Sequence, residues 1–439
     1  MQFFDRKYEL EKLRKIKDRS EHVAQFTVIT GRRRIGKTCL IKKAYEDTPY
    51  VYLFVARKTE SELCETFKES IAQILELPII GRVNKFSDIF KLLLETATRQ
   101  PLTVVIDEFQ EFYKVNPAIF SEMQNLWDSY KDRARINLVV CGSVNSLLNK
   151  IFRDKKEPLY GRQTDMMRIR AFAPSVMKEI MAVYSPDYTS EDLLAMYLFT
   201  GGVAKYIEMF VDRGCMTKER MLDVIFEPDG FFMGEGKAML IEEFGKDYGT
   251  YFSILSLIAQ GHTTRGDVEN ILGIEIGGYM KKLIEDYELI VKRQPLFEKS
   301  QNKNVHYALD DNFLRFWFRF IFRYSYMIES GAHQQLRMIV ERDYNAYSGR
   351  VLEDYFREKF KEMGSFTRLG YWHGRNGEND IDIIAADELK KTVTFNEVKR
   401  QTKNLDMHLL KDRADIFLKS TREFKNYDIS YNGLSMENM

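Results

Sequence analysis

A chain of 439 residues with 66 basic and 65 acidic side chains has no global field favouring nucleic acid or a membrane surface, so any basic surface must be local. It is too long for one hydrophobic core, and the length suggests roughly three domains. Its four cysteines (Cys39, Cys64, Cys141, Cys215) show no pairing rhythm and no zinc-type spacing with the six histidines, which excludes a disulfide scaffold and points to reduced thiols in a cytoplasmic protein.

No secretory leader is expected ahead of Arg6. Phe26–Thr30 is a β-branched, apolar run that ends in Gly31-Arg32-Arg33-Arg34-Ile35-Gly36-Lys37-Thr38, and a helix-compatible segment, Cys39–Glu46, follows. Strand, G-x-x-x-x-G-K-T and helix, in that order, make a phosphate loop. The glycines let backbone N–H groups aim at phosphate oxygens, and the helix N-terminus adds a partial positive charge. Lys37 is expected at the β- and γ-phosphates, and the Thr38 hydroxyl on Mg²⁺. ATP would therefore lie against Gly31, Arg32, Arg33, Arg34, Ile35, Gly36, Lys37, Thr38 and Cys39. The three arginines either touch phosphate or solvate the loop.

Tyr50–Val55, Leu102–Ile106 and Ile136–Cys141 read as further strands, alternating with helical patterns at Glu60–Leu75 and Ser87–Thr98, the second opened by Ser87 as N-cap. Such alternation predicts a parallel sheet covered on both faces. The strand 102–106 runs into Asp107-Glu108, acids suited to a magnesium shell (Asp107) and to orienting the attacking water (Glu108). Tyr50–Val55 is expected to separate the two motif-bearing strands in the sheet. Ser143 follows the strand 136–141 and either senses the γ-phosphate or caps the next helix.

Beyond Pro174 the chain reads as helical, with a sharp break at Gly201-Gly202. Tyr251–Ala259, Arg265–Leu272 (capped by Thr263 or Thr264) and Ile276–Tyr287 are three further helices. Paired strands at Leu289–Arg293 and Val305–Leu309 follow them, which predicts a winged helix. Lys281, Lys282, Lys292 and Arg293 are its basic candidates for DNA, set against Glu275, Glu285, Asp286 and Glu288. The same module serves equally as a packing element. Phe313–Tyr324 is aromatic but broken by Arg315, Arg319 and Arg323, so it reads as a core helix, and no membrane partner is expected.

The last segment reads helix, strand, strand, helix: Val351–Met363, Asp380–Ala385, Thr392–Val398 and His408–Leu418. Acids alternate along Asp380-Ile381-Asp382, and Glu397 and Lys399 share one strand face. A metal-dependent phosphodiesterase needs carboxylates around a divalent cation and a lysine near the attacking water. Glu353, Asp382, Glu397 and Lys399 supply that set, with Asp382 and Glu397 as the Mg²⁺ ligands.

The first half resembles the archaeal-type P-loop ATPases, a clade near the AAA+ and STAND NTPases. The resemblance is carried by Phe4, Arg6, Glu9 and Leu10 in spaced form, Gly31–Thr38, Asp107-Glu108-Phe109-Gln110, Gly142-Ser143, Tyr160-Gly161-Arg162 and Gly201-Gly202-Val203-Ala204-Lys205-Tyr206. Ala204 departs from the family's usual proline, which puts base contact there in doubt. Arg162 matches the family's arginine after glycine. It is either an arginine finger, acting in cis or from another copy in a homo-oligomer, or a surface ion pair. The order Gly349-Arg350…Glu353, Asp380-Ile381-Asp382, Glu397-Val398-Lys399 resembles the PD-(D/E)xK nucleases and the domain that commonly follows this ATPase.

The expected fold is α/β. A P-loop sheet (1–173) and helical lid (174–240) precede a winged helix (241–312), a connector (313–348) and a restriction-endonuclease-like α/β domain (349–439). Two functions fit: an ATPase gating a Mg²⁺-dependent cut in DNA, or a nucleotide switch controlling DNA or protein binding through a passive C-terminal clamp.

Overall fold

In the computed structural model, which describes all residues except 77–80, 246–247, 298–304, 375–379 and 422, five strands carry the first half of the chain. They are β1 (Gln25–Thr30), β2 (Val51–Phe54), β3 (Leu102–Asp107), β4 (Ile136–Cys141) and β5 (Asp165–Arg168), in the order β2-β3-β4-β1-β5. Every pair is parallel. β1, β3 and β4 are buried along their whole length, as strands covered on both faces must be. Around the sheet run α1 (Lys7–Ser20), α2 (Lys37–Ala44), α3 (Glu60–Leu75), α4 (Phe86–Arg99), α5 (Phe112–Val115), α6 (Ala118–Tyr130) and α7 (Asn145–Arg153).

Two expectations need correcting here. The strand at 51–54 intervenes in sequence but lies at the sheet edge; β4 is what separates β1 from β3. The crossover from β1 passes over the position that β4 later fills. Ser87 does not cap its helix either. α4 begins at Phe86, whose N–H donates to the Glu60 carboxylate at 2.8 Å, so a side chain from the preceding helix serves as the cap.

The chain divides into two compact units, Phe4–Arg170 and Met1–Phe3 with Ala171–Met439. The second unit opens with α8 (Pro174–Tyr184), α9 (Ser190–Thr200), α10 (Ala204–Asp212), α11 (Lys218–Ile225) and α12 (Phe231–Phe244). Three helices follow, α13 (Tyr248–Gln260), α14 (Arg265–Leu272) and α15 (Gly277–Glu285), then an antiparallel ribbon of β6 (Ile290–Arg293) and β7 (His306–Leu309). Thr264 caps α14 through the Asp267 N–H. α16 (Asn312–Phe316) passes into a π-helical turn, Trp317–Phe322, whose Trp317, Phe318, Phe320 and Ile321 are buried. The aromatic segment is thus core, and among the described residues no helix is long and apolar enough to cross a membrane.

After α17 (Ser325–Glu329), α18 runs unbroken from His333 to Met363. The boundary expected between residues 348 and 349 falls inside this helix, so the connector and the last segment share one rigid element. A mixed sheet follows: β8 (Arg368–Trp372), β9 (Ile381–Asp387), β10 (Thr392–Val398), then α19 (Met407–Ser420) and β11 (Asp428–Leu434). The order is β11-β10-β9-β8, with β11 parallel to β10 and the other pairs antiparallel. Gly370 pairs with Ile384 but Trp372 with Ile381, so two residue steps on β8 oppose three on β9. The resulting bulge falls at Asp382–Ile383, and bulges re-aim side chains.

Gly202 fixes the C-terminal end of α9. Its φ is +75°, and an added Cβ would lie 2.3 Å from the Phe172 carbonyl oxygen. The Phe172 N–H donates to the Gly202 carbonyl at 2.8 Å. Gly202→Ala should therefore cost about 2 kcal/mol or more, a left-handed alanine plus a displaced backbone. Gly214→Ala, with φ +63° and open space around it, supplies the strain alone. Calorimetry of the two variants should show the larger drop in melting temperature for Gly202→Ala; equal drops would mean that the Phe172 contact carries nothing.

Candidate nucleotide site and C-terminal charge cluster

The loop between β1 and α2 is shaped by two glycines. Gly31 has φ +148°, and a Cβ there would meet the Ile169 carbonyl oxygen at 2.6 Å. Gly36, at φ +97°, is the N-cap of α2 and has no side chain to cap it, and a helix N-terminus of this kind favours an anion. Lys37 is buried and its ammonium donates to the carbonyls of Gly31 (2.7 Å) and Arg32 (3.0 Å).

Asp107, at the end of β3, is the hub. Its Oδ2 accepts from the Thr38 hydroxyl (2.9 Å) and the Tyr52 phenol (2.6 Å); its Oδ1 accepts from the Cys141 thiol (3.0 Å) and the Glu108 N–H (2.9 Å). Burial, joined by the Asp107 charge, pushes both the Tyr52 and the Cys141 ionisations up, so each stays a donor. Glu108 itself adopts the left-handed region, φ +54°. Its Oε2 accepts from the Ser143 hydroxyl (2.9 Å) and from the Gln110 amide.

Lys37, Thr38, Asp107, Glu108 and Ser143 are therefore linked by direct contacts or adjacent positions, while Cys39 sits exposed on α2. Arg162 is elsewhere: its guanidinium pairs with Asp128 of α6 at 3.1 Å and bonds the Tyr160 carbonyl. That contact is the surface ion pair expected as one of its two alternatives. Tyr52 and Cys141 escaped the sequence reading because each lies in an apolar strand where nothing marks its polar end. Gln110 was visible as part of Asp107-Glu108-Phe109-Gln110.

A second cluster lies in the last segment. Lys399 Nζ lies 3.6 Å from Asp382 and 3.4 Å from Glu397. Asp382, on the β9 bulge, accepts the Val398 N–H at 2.7 Å. Burial raises its pKa against that bond and Lys399. Glu353, on α18, is raised by burial and then by the charges of Asp382 and Asp354. Glu397 is buried; its Oε2 accepts the Asp406 N–H at 2.9 Å and its Oε1 lies 3.5 Å from Arg413. Among the described residues no three carboxylate, histidine or cysteine side chains converge as a metal site. The expected set Asp382, Glu397 and Lys399 is brought together, and α19 and its leading turn add Arg413 and the Asp406 N–H beside Glu397. Asp380 pairs with His373 at 2.8 Å.

Beside Glu353, Asp354 is buried and meets three guanidinium groups: Arg293 from β6 (2.8 Å), Arg315 from α16 (2.6 Å) and Arg357 from α18 (2.6 Å). Arg293, a basic candidate of the ribbon, is thus turned to an acid, and Lys281 lies 3.8 Å from Glu285.

Residues 3–210 match the model of an ATPase domain found predominantly in Archaea, and residues 317–410 match archaeal and bacterial proteins of unknown function. An uncharacterized protein of Methanocaldococcus jannaschii is 31% identical over 433 residues, covering 95% of this chain and 92% of its own. The chain belongs to the family of that protein, and its residues 3–210 match the archaeal ATPase domain. The Walker-type ATPase of Pyrococcus abyssi shares the fold (TM-score 0.55, 19% identity, 72% of this chain and 96% of the other). So does the ORC2 protein of Aeropyrum pernix, solved as ADPNP–ADP complexes (TM-score 0.50, 17% identity, 74% and 94%). The parallel sheet of residues 4–170 is thus a P-loop ATPase sheet.

The ATPase loop fits a nucleotide. α2 starts without a side-chain cap, a buried lysine lies over loop carbonyls, and a threonine hydroxyl already meets a strand-end carboxylate.

The adjacent acids in this ATPase should differ in titration. Burial alone would raise the Asp354 carboxyl, but Arg293, Arg315 and Arg357 hold it well below the usual carboxylate range. A depressed folded pKa gives stability that is present above the unfolded value and is lost as pH falls through the folded one. Asp354→Asn should thus cost about 3–5 kcal/mol, leaving buried arginines uncompensated, with the deficit constant from pH 7 to 5 and shrinking only below about pH 4. Glu353→Gln should behave oppositely: a raised carboxyl loses stability as pH rises, so the variant gains on wild type above about pH 4.3. Melting temperatures across pH check both signs.

Proposed function

We propose that the chain is an ATP hydrolase whose nucleotide state controls a DNA-handling C-terminal part. The observation that carries the first half is the Thr38–Asp107 hydrogen bond at 2.9 Å, with Glu108 as the next residue. Thr38 and Asp107 would hold Mg²⁺, which when bound neutralises charge developing on the phosphates. Lys37, released from the Gly31 and Arg32 carbonyls, binds the β- and γ-phosphates. Glu108 orients the attacking water and takes its proton as the bond to the leaving ADP oxygen breaks. Ser143, already on Glu108, holds that carboxylate and is placed to exchange it for the γ-phosphate. Arg162, engaged by Asp128, has no role in this reading.

Lys37→Ala should abolish nucleotide binding by calorimetry. Glu108→Gln should keep binding but lower turnover by about 10²-fold or more, the usual worth of a positioned base. Normal turnover by Glu108→Gln would remove Glu108 from the chemistry.

For the second half, the three helices α13–α15 with the β6–β7 ribbon read as a winged helix, and the sheet of β8–β11 reads as a PD-(D/E)xK nuclease fold. Lys399 between Asp382 and Glu397, with Glu353 close enough to Asp382 to be raised by its charge, supports that reading. One observation favours the second reading, a nucleotide-controlled DNA-binding switch. Glu397 is already engaged by Arg413 and the Asp406 N–H. Incubation of DNA with the protein, ATP and Mg²⁺ or Mn²⁺ decides between them. Cleavage by wild type and none by Asp382→Ala supports the nuclease; no cleavage by either, with DNA retention dependent on Lys37, supports the switch.

A further inference from the structure

The residue after the cluster lysine ties it to a distant helix. The Arg400 side chain is only 18% exposed; its Nη2 donates to Glu191 at 2.5 Å and its Nη1 to the Ser348 hydroxyl at 2.5 Å. The guanidinium also lies 5.6 Å from the centre of the Tyr344 ring. Backbone and side chain act together here, since the Lys399 N–H donates to the Leu434 carbonyl at 2.9 Å while Lys399 Nζ reaches Asp382 and Glu397. A pull on Arg400 is therefore a pull on Lys399.

Glu191 is the second residue of α9, a rod of about 16 Å by its rise per residue, buried from Asp192 to Thr200. One end of α9 is locked by the Thr189–Asp192 capping box and the other by Gly201 and Gly202. Gly202 is clamped to Phe172 by the hydrogen bond and close approach described above. Three residues before Phe172, Ile169 donates its N–H to the Thr30 carbonyl at 2.8 Å, and its own carbonyl oxygen is the atom that keeps Gly31 a glycine. The covalent stretch 169–172 thus starts against the phosphate loop and ends against α9. The links are backbone hydrogen bonds, the covalent stretch 169–172, the short helix α9 and a half-buried charge pair.

We propose that Arg400 is a positioning residue of the C-terminal cluster, through which α9 relays the state of the phosphate loop to Lys399. The inference rests on the reading that the loop binds ATP. It does not require that the cluster cuts DNA. A guanidinium suits the task because its planar fork holds Glu191 and Ser348 through separate nitrogens in one fixed geometry.

Amide hydrogen exchange of the full chain over Thr392–Thr402, with and without ATP and Mg²⁺, tests it, with ATP binding measured by calorimetry on the same samples. In wild type, ATP should change exchange in this segment by about fivefold or more, the lower range of allosteric coupling. In Arg400→Gln and in Glu191→Gln that ratio should fall to about one, and the double variant should lose no more than either single one, as residues acting through one contact do. A merely structural role would raise exchange equally in both states and preserve the ratio, which overturns the proposal. So does a wild type that binds ATP with no change in this segment. Failure to bind ATP at all would overturn the nucleotide reading together with this one.

Discussion

The hydrogen bond between Thr38 and Asp107 depends on a constraint that organises residues 4–170: all five strands run the same way. β1 and β3 are not neighbours, since β4 lies between them, yet their C-terminal ends open on one edge. Because both strands end on that edge, the loop after β1 and the acid at the end of β3 come within 2.9 Å. The rest of the hub follows from the same edge. Tyr52 reaches Asp107 from the edge strand β2 on one side and Cys141 from β4 on the other, so β2, β4 and the segment after β1 converge on one carboxylate of β3.

Buried charge plays the corresponding part in the second unit. Asp354 collects arginines from the ribbon, from α16 and from its own helix, and so fixes three elements around the start of the last segment. One residue earlier, Glu353 is held toward its neutral form by burial and then by the charges of Asp382 and Asp354. Adjacent positions on a helix point about 100° apart, and that rotation separates a structural anion from a functional candidate. Removing the partner of a buried charge is costly, whereas a carboxyl already disfavoured as an anion is the kind found at sites that bind cations or protons.

Much of this was legible in the residues. The strands at 25–30, 102–107 and 136–141 announce themselves by β-branched apolar runs, and the phosphate loop by its glycines. The helices 265–272 and 333–363 are marked by a capping threonine and, for the second half of the longer one, by periodicity. Three strands were not legible, for physical reasons. β5 is four residues with a charge at each end, β8 contains Gly370, and β11 is an exposed edge carrying Asn432-Gly433. Each is specified by its neighbour's hydrogen bonds more than by its own burial. Sheet order was also out of reach, because sequence adjacency placed Tyr50–Val55 between strands that β4 in fact separates. Of the site, the carboxylates and lysines were visible by type and spacing. Their partners Tyr52, Cys141 and Arg413 were not, since those contacts join residues far apart in the chain or hidden inside apolar runs.

The account turns on Thr38 and Asp107 acting together on magnesium-bound ATP. Titration calorimetry of ATP into wild type and Asp107→Asn, each with magnesium and with a chelator, measures this directly. The account predicts that magnesium tightens ATP binding to wild type and that Asp107→Asn loses that gain while keeping its metal-free affinity. An equal magnesium-dependent gain in both proteins would contradict it.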